Sequence, residues 1–554
     1  MNKQVVVIGL DSYDPHLMKT WIAQGHLNHF KQLWEQGAYA DLSNTVRYCG
    51  ELEELKSNDT IWPAFITGQR ADKTGYWLAC QYHPDDYTVT SDLVNSGFDY
   101  KDYPPFYALG DRYKVAVFDV PYAQFSDQIH GLQILGWGGH FPYVNSVSRP
   151  ENLFSEITQT YGKNPILFED GGHWWDKKYL TWIDQALDES TSRRLEICKD
   201  LLKRDSWDLF FTVVGEPHAA GHDLYNRSQP DHPLYPYLTN NGTSPDPLLK
   251  SYKAIDNAIG QLLAEIPEDT YVMCFSPNGM GPNISELLCH VVLPEILYRF
   301  NFPGKVALAA GDSGTTPPPM ITKPIRNSWM GEMWSKTYEP NPLKRLIKPW
   351  IPKEFLQAPQ NGLSSPYPLL EQEVAFGWMP TMWYQPLWHQ MKAFALPGFT
   401  DGYIRINLEG REKNGIVAAS EYDSLCTELC DVLCRLTDGR TGKPLVKKIV
   451  RTRKTPYEAD PKLLEADLVI IWDEQMTDVF DSPDFGRIGP VPYFRPGSHW
   501  NRGFVMVKGP GIAPGTTLSN CETIDLPPTI LSLMGAPIPE SLEGTSLLKS
   551  IVAV

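Results

Sequence analysis

The chain has 554 residues, more than a single hydrophobic core usually organises, so we expect one large domain with insertions or two domains. Hydrophobic residues make up 42% of the chain and charged residues 21%, a balance that excludes a disordered protein. The formal net charge of -17 argues against a nucleic-acid partner, since binding to a phosphate backbone needs clustered Lys and Arg.

The N-terminal residues lead directly into the apolar run at 5–9, which is too short for the apolar region of a signal peptide. No apolar run approaches the roughly 18 to 20 residues that a membrane helix needs. We therefore expect a soluble, cytoplasmic protein without a membrane partner. The 9 cysteines are scattered and form no CxxC pair, so we expect reduced thiols rather than disulfides or a sulfur-ligated zinc site.

Short apolar runs alternate with longer amphipathic stretches, which is typical of α/β proteins. The runs predict strands at 5–9, 114–119, 209–214, 271–276, 468–472 and 504–508. Apolar residues at helical spacing predict helices over 15–36, 190–204, 248–266 and 421–437. We expect these helices to cover a sheet, with functional residues on the loops beyond the strand ends.

Two regions interrupt this alternation and predict insertions. Residues from about 140 to 190 are rich in aromatic residues, Pro and Gly, and residues 303–398 hold a Pro-Pro-Pro run and many tryptophans. The predicted organisation is therefore a core of residues 1–302 and 399–554, with 303–398 as a cap and a smaller insertion near 140–190. The cap either covers a pocket for a ring-bearing substrate or packs a small core of its own.

Three segments contain residues of the types that commonly bind metal ions. The strand at 5–9 is followed by Asp11, whose carboxylate is placed like a metal ligand, although a strand-terminal Asp often caps a turn or helix. His218 and His222 follow the strand at 209–214 and are spaced to converge on one cation such as zinc, or simply to form hydrogen bonds. His499 lies shortly before the strand at 504–508. Alone it is weak evidence for a metal site, and it becomes informative together with Asp11, His218 and His222.

Together with other motifs, these segments resemble the type I phosphodiesterase and nucleotide pyrophosphatase branch of the alkaline phosphatase superfamily. The Asp11 strand is similar to the family's opening metal-ligand strand. The stretch 216–222 resembles the Glu-Pro-Asp-x-x-Gly-His element, and 275–280 falls where Ser-Asp-His-Gly-Met is expected. Further similar segments are found at 62–68, 73–77, 525–531 and 542–544. The resemblance implies a three-layer α/β/α sandwich with a mostly parallel sheet, and a metal-dependent hydrolase.

The chain departs from the family at its metal ligands. The resemblance implies a first site made of His218, His222 and His499, and a second site that keeps Asp11. That second site has Pro277 and Asn278 where the family has Asp and His. Proline offers no side-chain donor, and an amide is a far weaker ligand than imidazole for a transition metal. We therefore expect one divalent metal ion, zinc, rather than two.

The resemblance also implies a threonine nucleophile. At the family's spacing this residue falls on Asn58, and a shift of two residues selects Thr60. A hydroxyl needs a base or a metal to become nucleophilic, so Thr60 either attacks the substrate or has a structural role. Glu216 either acts as a general acid or base, or holds a ligand histidine by a hydrogen bond.

Three hypotheses for function follow, all with a small-molecule ligand and none with a predicted oligomeric state. The first is a metal-dependent hydrolase of phosphodiester-like or related anionic esters, with Thr60, Asp11 and Asn278 lining the reacting centre. The second is a single-metal Lewis-acid enzyme that promotes group transfer, elimination or cyclisation on an aromatic or apolar metabolite. The third is a non-catalytic binding protein of the same fold.

Overall fold

A computed structural model describes residues 3–54, 59–78, 80–91, 100–138, 146–167, 171–237, 245–326, 328–351 and 362–551. The strands are, in chain order, β1 (Val5–Leu10), β2 (Ala38–Ser43), β3 (Thr45–Tyr48), β4 (Glu51–Glu54), β5 (Gln81–His83), β6 (Thr88–Thr90), β7 (Gly110–Phe118), β8 (Ile129–Leu135), β9 (Val147–Arg149), β10 (Leu209–Val214), β11 (Tyr271–Ser276), β12 (Gly279–Pro282), β13 (Ala310–Gly311), β14 (Ala393–Leu396), β15 (Gly402–Ile406), β16 (Thr437–Asp438), β17 (Val446–Arg451), β18 (Leu468–Trp472), β19 (Phe480–Ser482), β20 (Gly486–Ile488), β21 (Gly497–Trp500), β22 (Gly503–Lys508) and β23 (Thr517–Glu522). The α-helices are α1 (Pro15–Ala23), α2 (Asn28–Gln36), α3 (Ile61–Thr67), α4 (Ala71–Thr74), α5 (Leu153–Tyr161), α6 (Lys177–Lys203), α7 (Glu216–Leu224), α8 (Pro247–Leu263), α9 (Leu293–Asn301), α10 (Trp329–Ser335), α11 (Pro342–Ile347), α12 (Pro366–Glu371), α13 (Pro380–Trp383), α14 (Tyr422–Leu433), α15 (Leu526–Met534) and α16 (Leu548–Ile551).

The central sheet has nine strands in the order β23-β2-β22-β11-β1-β10-β7-β8-β9. Its middle strands pair in parallel, from β11 through β1, β10 and β7 to β8. β22 and β9 run antiparallel to their neighbours. The sheet is therefore mostly parallel, as predicted, and the carboxyl ends of the adjacent strands β11, β1 and β10 meet at one edge.

Helices cover both faces of this sheet. Along β1, Val5 and Val7 belong to one hydrophobic core, and Val6, Ile8 and Leu10 belong to another on the opposite face. The first core is completed by α3 and α15, and the second by α1, α2, α6 and α8. Strands that are buried on both faces have continuous apolar sequences, so these strands could be predicted from the sequence. The predicted three-layer α/β/α sandwich is confirmed.

All four helix predictions differ from the structure in their bounds. The helices predicted over 248–266 and 421–437 end at Leu263 and Leu433, and the other two predictions differ more. The helix predicted over 15–36 is two helices, because the chain turns between them at Gly25, which has a φ of 77° that favours glycine. The helix predicted from residue 190 begins earlier, where the carboxylate of Asp176 accepts the N–H groups of Lys178 and Tyr179. The aromatic-rich stretch near 140–190 therefore contains the first half of α6, a core helix, as well as the smaller insertion.

The residues predicted as a cap share a hydrophobic core with elements that follow them in the chain. The predicted strand at 468–472 is β18, which lies in a four-stranded antiparallel sheet of order β14-β15-β18-β17 and not in the central sheet. This sheet shares one hydrophobic core with α9, α10, α13 and α14. The boundary predicted at residue 398 therefore runs through a continuous core, and the division into core and cap stays a prediction.

Most cap tryptophans are packed inside that core. Trp329, Trp334, Trp383 and Trp388 are buried, whereas Trp350 is 72% exposed. The four buried rings pack into a hydrophobic core that the insertion shares with β15 and β18, which lie outside its predicted bounds. Among the described residues, no helix is both long enough and apolar enough to cross a bilayer.

Candidate metal centre

Three neighbouring strands deliver the polar residues of the site to one edge of the sheet. Asp11 follows β1, Asn278 follows β11, and α7 begins two residues after β10. Because β1 pairs in parallel with both β10 and β11, the three strand ends lie side by side. Asp11 and Asn278 are fully buried.

Helix α7 brings two histidines onto one face. Pro217 and Glu216 lie in its first turn, where a missing N–H and a negative charge are both favourable. His218 and His222 are four residues apart, so their side chains lie one above the other. Both imidazoles are buried, with exposures of 2% and 0%.

Strand β21 brings the third histidine against this helix. It pairs antiparallel with β12, and Met280 lies opposite His499 in the pair. Gly497 is required at the crossing, because a Cβ there would lie 2.2 Å from the carbonyl oxygen of Gly221 in α7. The close approach of β21 to α7 places His499 beside the other two imidazoles.

The three histidines each place a ring nitrogen within 4.8 Å of the other two. Nε2 of His222 lies 3.2 Å from Nε2 of His218 and 3.1 Å from Nε2 of His499. A tetrahedral zinc ion with Zn–N bonds of about 2.0–2.1 Å separates its nitrogen ligands by about 3.3–3.4 Å. The three side chains are a group that could hold a metal ion, and their spacing fits a single divalent ion.

A backbone contact fixes the orientation of the central histidine. Nδ1 of His222 lies 2.8 Å from the carbonyl oxygen of Gly497, which can only accept a hydrogen bond. Nδ1 therefore carries the hydrogen, and Nε2 presents its lone pair to the centre of the cluster. Histidines that bind metals are commonly held in this way.

Asp11 and Asn278 lie next to the cluster. The Asn278 amide nitrogen is 2.9 Å from Nδ1 of His499, so this residue contacts a candidate ligand directly. Asp11 Oδ1 accepts from the hydroxyl of Ser12 and from Nε1 of Trp62, each at 3.3 Å. Asp11 is not one of the three side chains that converge, and its role as a metal ligand stays a prediction.

Glu216 forms a buried ion pair with Arg194. Nε of Arg194 lies 2.8 Å and 3.0 Å from its two carboxylate oxygens, and the Ser190 hydroxyl donates to Oε1. Arg194 also pairs with Asp119 at 2.8 Å. Among the described residues, the Glu216 carboxylate makes no hydrogen bond to a histidine. The contacts favour a structural role, and catalysis by Glu216 stays a prediction.

Thr60 immediately precedes α3 with its side chain buried. Its hydroxyl has no hydrogen-bond partner among the residues that the structure describes. Thr60 is the N-cap residue of α3, but its side chain makes no capping hydrogen bond. The structural role is therefore not supported by a hydrogen bond of the hydroxyl among the described residues. Asn58, the alternative position for the nucleophile, lies outside the described residues.

Two residues of the site, Tyr122 and Ser12, were not identified from the sequence. Tyr122, just beyond β7, donates its hydroxyl to Asp59 at 2.9 Å. Burial raises the pKa of Tyr122 well above its ordinary value, and the negative charges of Asp59 and Asp11 add to this effect. Ser12 contacts His499. The position of Tyr122 just after a predicted strand, and that of Ser12 beside Asp11, were the signals available.

Comparison with known proteins bears on the central part of the chain. Residues 60–312, just under half of the chain, match the sequence model of the type I phosphodiesterase / nucleotide pyrophosphatase family. The predicted resemblance is confirmed. The matched segment contains Thr60, His218, His222 and Asn278, while Asp11 and His499 lie outside it. The match supports a hydrolase of the phosphodiesterase and pyrophosphatase type.

Solved structures with similar folds share little sequence with this chain. Human ectonucleotide pyrophosphatase / phosphodiesterase 5 is 11% identical with a TM-score of 0.48, and its murine counterpart is 12% identical with a TM-score of 0.46; each comparison covers 100% of both chains. Phosphonoacetate hydrolase from Sinorhizobium meliloti 1021, in complex with phosphonoformate, is 10% identical with a TM-score of 0.47, covering 97% of this chain and 96% of that one. No curated protein sequence matches this chain at a significant level.

Proposed function

We propose that this chain is a metal-dependent hydrolase of phosphodiester-like or related anionic esters that uses one zinc ion held by His218, His222 and His499. The observation that carries the proposal is the position of Nε2 of His222, which lies 3.2 Å from Nε2 of His218 and 3.1 Å from Nε2 of His499. The family match over residues 60–312 supports phosphoester hydrolysis as the reaction. A small-molecule substrate and a cytoplasmic location belong to the same proposal.

The composition of the centre suits an anionic substrate. Neutral imidazoles would leave the charge of a divalent ion uncompensated by its own ligands, and three protein ligands leave one position of a four-coordinate ion open. A bound divalent ion would supply Lewis-acid stabilisation of negative charge on a phosphoryl oxygen. His499 is partly exposed, whereas His218 and His222 are buried, so substrate would approach from the β21 side.

The remaining residues have distinct roles in this proposal. Thr60 is the candidate nucleophile, because its hydroxyl is buried without being used in a hydrogen bond among the described residues. Asn278 contacts His499 and is placed to position the substrate. Asp11 accepts hydrogen bonds from Ser12 and Trp62 beside them. The Lewis-acid alternative for aromatic or apolar metabolites gains no support, since most tryptophans of 303–398 are buried in a hydrophobic core.

The test is hydrolysis of bis(p-nitrophenyl) phosphate by protein stripped of metal and then supplied with zinc. We expect turnover to return on addition of zinc and to be lost in His218→Ala and His499→Ala. His16→Ala is the matched control, because this histidine is exposed and outside the cluster. Metal binding without turnover, on this diester and on a panel of phosphomonoesters and phosphonates, would favour the binding-protein hypothesis.

A further inference from the structure

Ser12 adopts an unusual backbone conformation beside the metal centre. It directly follows Asp11, is fully buried, and has a φ of 61°, in the left-handed region that favours glycine. Strained residues of this kind persist when their surroundings hold them, and they gather at functional sites. We therefore expect interactions of the Ser12 side chain to offset the energetic cost of this backbone conformation.

The hydroxyl of Ser12 is held by three side chains of the site. Its oxygen lies 2.9 Å from Nδ1 of His499, 3.1 Å from Nδ2 of Asn278 and 3.3 Å from Oδ1 of Asp11. A serine hydroxyl has one hydrogen to donate and two lone pairs that accept. If the hydroxyl donates its hydrogen to Asp11 and accepts hydrogens from Asn278 and His499, its hydrogen and both lone pairs are used.

These contacts bear on which nitrogen of His499 carries the hydrogen. Nδ1 of His499 also lies 2.9 Å from the amide nitrogen of Asn278, which can only donate. A hydrogen bond from Asn278 to Nδ1 would require a lone pair on Nδ1, so this contact by itself opposes hydrogen there. Of the two neighbours of Nδ1, only the hydroxyl of Ser12 can accept, and it can also accept the N–H of Asn278. Ser12 therefore stabilises the form of His499 with hydrogen on Nδ1. In that form the lone pair of Nε2 faces Nε2 of His222, 3.1 Å away.

We infer that Ser12 is a positioning residue that holds His499 ready to bind the metal ion and connects this ligand to Asp11. The inference rests on the proposed function, because it concerns the ion that the three histidines would hold. A glycine at this position would suit the backbone better but would lack the hydroxyl. The serine therefore accepts a less favourable backbone conformation, and its hydroxyl orients a metal ligand.

The experiment compares Ser12→Gly with Ser12→Ala. Both variants lose the hydroxyl, but only glycine removes the backbone strain at the positive φ. We expect both to bind Zn²⁺ about 10- to 100-fold more weakly in competition with a chromophoric chelator. The visible absorption of Co²⁺ bound at the site should change in both variants, since it reports ligand geometry. The metal-free Ser12→Gly protein should melt at or above the wild-type temperature, and Ser12→Ala should not.

Asn520→Gly is the matched control, since Asn520 is exposed and has a similar φ of 58°. It should relieve backbone strain without altering Zn²⁺ affinity or the Co²⁺ spectrum. Wild-type affinity and spectrum in both Ser12 variants would overturn the inference and leave the proposed function standing. A wild-type protein that binds neither ion would overturn both.

Discussion

The hydroxyl of Thr60 is buried without a hydrogen-bond partner among the described residues. Burial of an unpaired polar group costs about 1–3 kcal/mol, so removal of this hydroxyl should not destabilise the protein. We predict that Thr60→Val abolishes diester hydrolysis while the free energy of unfolding stays equal or rises. Steady-state assays and chemical denaturation of the same preparation check this.

Thr60→Ser is the matched variant, because it keeps a primary hydroxyl at the same position. It should retain measurable turnover. Full activity in Thr60→Val would show that the hydroxyl is not the nucleophile, and a large loss of stability would show that it makes a structural contact instead.

At the scale of single residues, the sequence was informative where a motif marked a position. His218 and His222 stand four residues apart after an apolar run, and both lie in the cluster with His499. Ser12 belongs to no recognisable motif, because its role depends on contact with His499, 487 positions away in the chain. Contacts of this kind depend on tertiary packing, which local patterns do not encode.

Helices α6 and α7 are joined by the buried pair between Arg194 and Glu216. Both side chains are almost fully buried, with exposures of 3% and 0%. Asp119 would still pair with Arg194 if Glu216 were removed. The Ser190 hydroxyl and Nε of Arg194 would lose their buried acceptor, at a cost of about 1–3 kcal/mol. We predict that Glu216→Ala lowers the free energy of unfolding by about this amount, as measured by urea denaturation.

The exposed pair between Glu189 and Arg193, on the same helix α6, is the control. Glu189→Ala should change stability by less than about 1 kcal/mol, since exposed ion pairs contribute little. A Glu216→Ala protein with wild-type stability but no turnover would instead support the catalytic role that the sequence suggested.

At the scale of elements, strand prediction succeeded in the central sheet because parallel strands buried on both faces are continuous apolar runs. The same signal in β18 did not show which sheet the strand joins. An apolar run of five residues is compatible with the central parallel sheet and with the antiparallel sheet of the cap. Its pairing with β15 and β17 depends on tertiary structure, so only the existence of this strand was predictable.

The whole molecule depends on the cap core as well as on the core around the central sheet. Trp388 is fully buried and stacks on Phe394 of β14, with ring centroids 4.8 Å apart. We predict that Trp388→Ala lowers the free energy of unfolding by about 3–5 kcal/mol, as expected for loss of a large buried side chain. Equilibrium denaturation followed by fluorescence and by circular dichroism measures this change.

Trp350→Ala is the control within the same insertion, because Trp350 is 72% exposed. Its effect should stay within about 0.5 kcal/mol. A similar loss of stability in both variants would contradict the packing described for the cap. The sequence alone left this packing undecided, since a tryptophan-rich composition does not show whether the rings face a pocket or each other.

The central claim concerns the number of metal ions that the molecule holds, and elemental analysis of the purified, zinc-supplied protein tests it most directly. The account predicts one zinc ion per chain in the wild type, and loss of that ion in His218→Ala, His222→Ala and His499→Ala. Two ions per chain would contradict it, because Pro277 and Asn278 would then belong to a functional second site. Absence of bound zinc after supplementation would equally contradict it.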